Sequence, residues 1–197
     1  NSVQNQPSIA VLPFANMSAD KENEYFSDGL AEEIINALAQ MPGIKVAGRT
    51  SSFFFRGKDV EFGEIGRRLN VQHILEGSVR KAGNRVRVTA QLIKVADGFH
   101  LWSERYDREM TDVFAIQDEI THAIASALRM KLSGDAAAPR PYTPNLRAYE
   151  AYLKSRDYWF KPTPDSLARV KQSLEHAIEL DPKFALAYSM LGIYYTM

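Results

Sequence analysis

Four histidines, His73, His100, His122 and His176, and the carboxylates near them are the residues through which this 197-residue chain could do acid–base or metal chemistry. None of the four has metal-ligand spacing, and there is no H-E-x-x-H. The chain has no cysteine, which excludes disulfides, iron–sulfur clusters, thiolate zinc sites and cysteine nucleophiles. His73 and His100 fall on segments expected to be neighbouring strands, with Glu76 beside His73. A two-histidine cluster there is the strongest catalytic arrangement on offer, and hydrogen-bonded or exposed histidines are the simpler account. Glu76-Gly77-Ser78-Val79 is not a nucleophile elbow, because G-x-S-x-G is missing and a strand follows it. Arg56-Gly57-Lys58-Asp59 has the tail of a phosphate loop without its first glycine or its magnesium-binding Ser/Thr; it reads as a turn and a helix cap. Glu32-Glu33 reads as an acidic pair on a helix surface, where adjacent residues face differently. The expectation is therefore no catalytic, cofactor-binding or metal residues, and no cofactor.

Two features point to contact instead. Phe53, Phe54 and Phe55 lie in an expected loop between Ser51-Ser52 and Gly57. At least one should plug the core, and an exposed one would mark an interface. Arg80, Lys81, Arg85 and Arg87 make a basic hairpin that could dock an acidic partner or phosphate, or simply form the wet face of a sheet.

Lys+Arg and Asp+Glu each number 24, and 45% of residues are hydrophobic. That is enough apolar material for a core and gives no basic excess for a nucleic acid. No apolar stretch approaches the roughly 18 residues that span a bilayer. Residues 1–7 have no basic or hydrophobic region of a signal peptide and read as a linker. A Cys-free chain suits either cytosol or periplasm; the expectation is cytoplasmic, or periplasmic if a membrane span precedes Asn1.

The elements that position these residues follow from periodicity. Ser8 to Phe14 is a continuous apolar run, as in a strand covered on both faces. Ser27-Asp28 caps a helix carrying Leu30, Ile34, Leu38 and Met41, which Pro42-Gly43 stops. Ile44 to Ala47 is a short strand. Asp59 caps a second helix with Phe62, Ile65 and Leu69 on its apolar face, ending near Asn70. Three strands follow, Val71 to Lys81, Arg85 to Val95 and Phe99 to Tyr106. In the middle one, Val86, Val88, Ala90 and Leu92 alternate with Arg85, Arg87, Thr89 and Gln91. A long helix from Thr111 to Lys131 closes the domain. The order β-α-β-α-β-β-β-α predicts an α/β domain over residues 8–132, its mixed sheet covered by helices, parallel across the crossovers and antiparallel in the meander.

Residues 133–144 are rich in Pro, Ala and Gly and read as a linker. Beyond it, residues 145–197 are helical: Leu146 to Phe160, Asp165 to Leu180, and Phe184 onward. Tyr188, Leu191, Gly192 and Tyr195 fit the tetratricopeptide pattern W-x₂-L-G-x₂-Y with Tyr for Trp, and Ala177 and Asp181-Pro182 sit where that repeat's second helix ends. Tyr188, Gly192 and Tyr195 lie 37 residues beyond Ala151, Ser155 and Tyr158, against a period of about 34. A loop insertion around Lys161-Pro162-Thr163-Pro164 accounts for the excess. Gly192 and Ser155 are expected to let paired helices approach closely, with Tyr195 filling the groove beside them. The second repeat is read as cut short, which marks the chain as part of a longer protein.

Ser8-Ile9-Ala10-Val11-Leu12-Pro13-Phe14, Tyr25-Phe26-Ser27-Asp28-Gly29-Leu30, Leu75-Glu76-Gly77-Ser78-Val79-Arg80, residues 85–92, His100 to Asp107 and Phe114 to Ile120 occur in that order. Together they resemble the bacterial TolB-like amino-terminal domain, related to the FlgO-type fold, followed by tetratricopeptide repeats. Lys94, where that family often has Asp, departs from the pattern. The resemblance implies a non-catalytic module of a larger bacterial signalling protein, with helical repeats as a partner-binding scaffold. It also implies an adenylate cyclase or winged-helix domain upstream, so that the chain would be the accessory region of a class III cyclase or of a transcriptional regulator. The partner expected is a protein or peptide, or a second copy, with no nucleic acid contacted and no membrane span in these residues.

Overall fold

Ser8–Val11 (β1) is buried at all four positions, because it runs through the middle of a six-stranded sheet. Such a strand must be apolar on both faces, which is why it reads as an unbroken run. In this computed structural model, residues 6–128, 142–160, 163 and 165–197 are described. The chain divides into two compact units, residues 1–139 and 140–197.

In the first unit β1 pairs in parallel with Lys45–Val46 (β3) and with His73–Ala82 (β4). Ala15–Asn16 (β2) resumes the same line and pairs in parallel with β4 at Ser78 and Val79. Arg85–Lys94 (β5) and His100–Glu109 (β6) complete an antiparallel meander, giving the order β3-β1-β4-β5-β6. Both kinds of pairing fall where the sequence places them. Alternation sends Val86, Val88, Ala90 and Leu92 inward at 0% exposure, while Arg85 and Arg87 stay exposed.

Glu24–Ala39 (α1) begins a turn earlier than Ser27-Asp28. Asp20 opens the preceding 3-10 turn by accepting the Glu22 amide, and Tyr25 and Phe26 are core residues that extend the apolar face upstream. Ser27 and Asp28 are thus buried mid-helix, and Met41 lies beyond the helix end. The expected loop at 51–57 holds a short helix, Arg49–Phe53 (α2). Phe62–Leu69 (α3) is preceded by Glu61 rather than capped by Asp59, because the chain stays extended through Glu61 and Val60 packs on the core. It ends at Asn70, whose φ of 54 is left-handed. Val113–Ala127 (α4) follows a 3-10 turn at Met110–Asp112; its expected last turn, 129–131, lies outside the described residues.

α1 and α4 pack together over one face of the sheet, where Ile34, Leu38, Ile116, Ile120 and Ile124 are fully buried. On the other face α3 covers only one end, through a cluster of Ala10, Phe55, Ile65, Val71 and Ile74. Gly77 keeps the first core tight: a Cβ there would stand 2.3 Å from the Thr89 carbonyl oxygen and 3.0 Å from the Phe14 ring.

The second unit is three helices, Leu146–Phe160 (α5), Ser166–Leu180 (α6) and Ala185–Tyr195 (α7). Phe184, fully buried, packs its ring 5.1 Å from that of Tyr152. Most of the expected linker, residues 133–141, and Lys161, Pro162 and Pro164 of the expected insertion lie outside the described residues. No helix among the described residues is long and apolar enough to cross a membrane.

Candidate functional site

Glu24, Asp28 and Glu32 recur every fourth residue of α1 and therefore form one row along it. The segment from α2 to Gly57 lies against that row. Arg49 Nε donates to Glu32 Oε2 at 3.0 Å, and Arg56 donates to both Glu24 and Asp28. Burial works against the Arg56 charge, but the Asp28 and Glu24 carboxylates outweigh it and hold the guanidinium above its ordinary range. The Phe53 ring lies beneath both guanidiniums, 4.4 Å from Arg49 and 5.4 Å from Arg56.

The three phenylalanines thus do three different things. Phe53 supports the arginines, Phe55 is core at 6% exposure, and Phe54 stands 56% exposed with the Lys58 ammonium 3.0 Å from its ring centre. Beside them, Leu12, Phe14, Glu24, Phe55 and Arg56 line a cleft of ≈ 450 Å³ beyond the carboxyl end of β1. Glu32 and Glu33 are buried at 9% and 4% exposure, not on the helix surface, because α1 is covered on more than one side. The carboxylate row is the feature that sequence reasoning missed. Its signal was the i, i+4, i+8 spacing, hidden because the helix was started too late.

The basic hairpin is not one patch. Arg80 and Arg87 are a cross-strand pair, and Arg80 donates to the Met17 carbonyl at 3.1 Å. Arg85 and Arg87 both hold Asp107, at 2.8 and 2.6 Å, and pull its carboxyl down to about 2. Lys81, on the opposite face by alternation, lies 5.6 Å from the Phe26 ring.

His73, Glu76 and His100 do not converge. β5 separates β4 from β6, so the two histidines are not on neighbouring strands. His73 and Glu76, three apart on one strand, face opposite ways. His73 Nδ1 meets the Ser8 carbonyl oxygen at 3.1 Å; burial, helped by Lys94, holds its pKa below 6.5 despite that hydrogen bond. Burial raises Glu76, with the charge of His100 opposing. Burial raises the Asp118 carboxyl, with the charge of His122 opposing, and His176 lies 3.5 Å from Glu179. Among the described residues no group of three or more His, Asp or Glu is placed to hold a metal ion.

In the helical unit Ala151, Ser155 and Ala177 are buried, and the Ser155 hydroxyl donates to the Tyr152 carbonyl at 2.6 Å. Met190 of α7 approaches Ser155, with Sδ 3.7 Å from the hydroxyl. The Arg169 guanidinium lies 5.6 Å from the ring of half-buried Tyr158, and exposed Pro182 follows Asp181 in the α6–α7 turn. The close approach expected at Gly192 is not made: a Cβ there would meet nothing within 4 Å. Tyr188 and Tyr195 are 50% and 63% exposed and fill no groove, Leu191 is half-buried, and Ala187 is the buried residue of α7. Tyr195 nonetheless reaches α6, where the Lys171 ammonium lies 5.5 Å from its ring centre. A link not foreseen ties the ends of the α5–α6 hairpin. Thr143 donates to Asp181 at 2.5 Å, Asn145 Nδ2 donates to the Leu180 carbonyl at 2.8 Å, and Asn145 Oδ1 caps the Arg147 and Ala148 amides. A polar groove of ≈ 700 Å³ runs along this unit past Arg147, Lys154, Tyr158 and His176.

Residues 4–125 match the family described as HilA/YgeH-like transcriptional regulator, second domain. A curated relative from Rhizobium meliloti (strain 1021), described as putative adenylate cyclase 3, is 43% identical over 190 residues, covering 95% of this chain and 32% of the relative. The chain therefore spans about a third of the curated relative it matches. Among solved structures, TolB from Acinetobacter baumannii superimposes with a TM-score of 0.45 at 17% identity, over 62% of this chain and 28% of that one. Lipoprotein GNA1162 from Neisseria meningitidis gives a TM-score of 0.46 at 18% identity, over 64% of this chain and 99% of that one.

Proposed function

Because the chain belongs to the family described as HilA/YgeH-like transcriptional regulator, second domain, we propose that it is a non-catalytic regulatory module of a longer signalling protein and works by contact. The observation that carries this reading is the pair of matches. One segment occurs in a family of transcriptional regulators and in a relative named as a putative adenylate cyclase. A segment that accompanies two different outputs is suited to controlling an output rather than producing one. The placement of charged groups supports the same reading. Arg49, Arg56, Arg85 and Arg87 engage neighbouring carboxylates instead of pointing together into a cleft.

Between the two outputs, identity over nearly the whole chain favours the accessory region of a nucleotide cyclase. In this proposal the helical unit is a tetratricopeptide-type scaffold that offers its groove of Arg147, Lys154 and Tyr158 to a protein or peptide segment. The test is incubation of the purified chain with ATP or GTP and Mg²⁺ or Mn²⁺. No cyclic nucleotide or hydrolysis above the buffer rate is expected. Sustained turnover that disappears in His73→Ala or Glu76→Gln overturns the proposal.

A further inference from the structure

β6 ends the sheet: β5 lies on one side of it, and among the described residues no strand lies on the other. A ten-residue edge with main-chain groups turned outward is a template for another strand, which proteins ordinarily blunt with charge. Here the charges are arranged for pairing. Around Tyr106 the run Glu104-Arg105-Tyr106-Asp107-Arg108 is inverted in sign, Arg105 against Asp107 one residue out and Glu104 against Arg108 two residues out.

In an antiparallel pair, directly opposite residues share a face and interact. Two copies of β6 related by a twofold axis at Tyr106 therefore set Arg105 against Asp107 and Glu104 against Arg108, each twice. All four contacts attract. Centring the axis on Glu104, Arg105, Asp107 or Arg108 instead sets two like charges face to face at the axis, so the pattern also selects the register. Arg105 is exposed and has no ion-pair partner among the described residues, and Arg108 reaches Glu119 only at 3.8 Å. Asp107 is already held by Arg85 and Arg87 within its own sheet, so the Glu104–Arg108 pairs carry most of the discrimination. Glu104 accepts the Tyr106 hydroxyl at 3.2 Å.

We propose that the chain self-associates through β6, joining two sheets into one across a twofold axis at Tyr106. This deepens the contact reading above by naming a second copy as one partner. Sedimentation velocity of the 197-residue chain over a concentration series should show a monomer–dimer equilibrium that shifts toward monomer at about 0.5 M salt. E104R and R108E each replace two attractive pairs with repulsive ones and should raise the dissociation constant about tenfold or more. Mixing the two variants in equal amounts should regain dimer, because the arginine introduced at 104 then faces the glutamate introduced at 108. The double variant E104R/R108E should dimerise like the parent, which keeps the test sound should one single variant fail to fold. A parent that stays monomeric throughout, or a dimer indifferent to both single variants, overturns β6 pairing and leaves the module reading standing. A dimer that also cyclises ATP keeps the pairing and overturns the module reading.

Discussion

Phe54 and Phe55 are adjacent and chemically identical, yet their surroundings assign them opposite consequences. Phe55→Ala empties a position in the Ala10–Ile74 cluster and should cost about 3–5 kcal/mol in denaturant unfolding. Phe54→Ser removes an exposed ring and should change stability by no more than about 0.5 kcal/mol; equal losses would mean the rings exchange places. Arg56→Ala strips the cation from Asp28, a carboxylate with 8% of its side chain exposed, and should cost about 1–3 kcal/mol. His73 gives a pH signature. Its folded pKa is depressed, so below 6.5 the unfolded chain takes up the proton first and stability falls with pH. Glu76, raised from 4.5, works the other way: the folded chain takes up that proton first, adding stability as pH falls through its folded pKa. Urea midpoints between pH 8 and 5.5 (a range of about 2.5 units around the ordinary histidine value) should decline in the parent and less in His73→Gln. A parallel decline in both would remove His73 from the account.

At the scale of elements, the meander and α5 were readable because burial imposes a clean period on them. Val86 to Leu92 alternate without a break, and Leu146–Phe160 falls where the periodicity puts it. The start of α1 was hidden, since Ser27-Asp28 looks like a cap and only the packed structure shows both residues covered. α2 spans five residues, too few for any period to show. The α5–α6 link escaped because Thr143 and Asn145 lie next to an expected linker, and pairing with Asp181 depends on a hairpin closing 38 residues apart. That link makes Asn145→Ala a test of the helical unit alone: loss of the cap should cost about 0.5–2 kcal/mol, read as earlier melting of that unit. In the sheet, Gly77→Ala drives a methyl against the Thr89 carbonyl and should cost about 1–3 kcal/mol.

For the whole molecule, the catalytic trio conceivable from the sequence dissolves once strand order is known, because β5 stands between the histidines and alternation parts His73 from Glu76. The contact-making residues were harder to rank, since an ion pair spends a charge that a sequence shows as free. Arg85 and Arg87 are exposed, yet both engage Asp107. The edge charges of β6 acquire meaning only when the strand is known to be last in the sheet. On the proposed reading the module acts on a neighbour, and its curated relative is about three times its length. The most direct measurement is therefore cyclic-nucleotide output from that Rhizobium meliloti relative, intact, lacking its matching segment, and with this chain grafted in its place. The account predicts that deletion changes the output or its regulation several-fold and that the graft restores it. Output unaltered by deletion, or cyclic nucleotide formed by this chain alone, would contradict it.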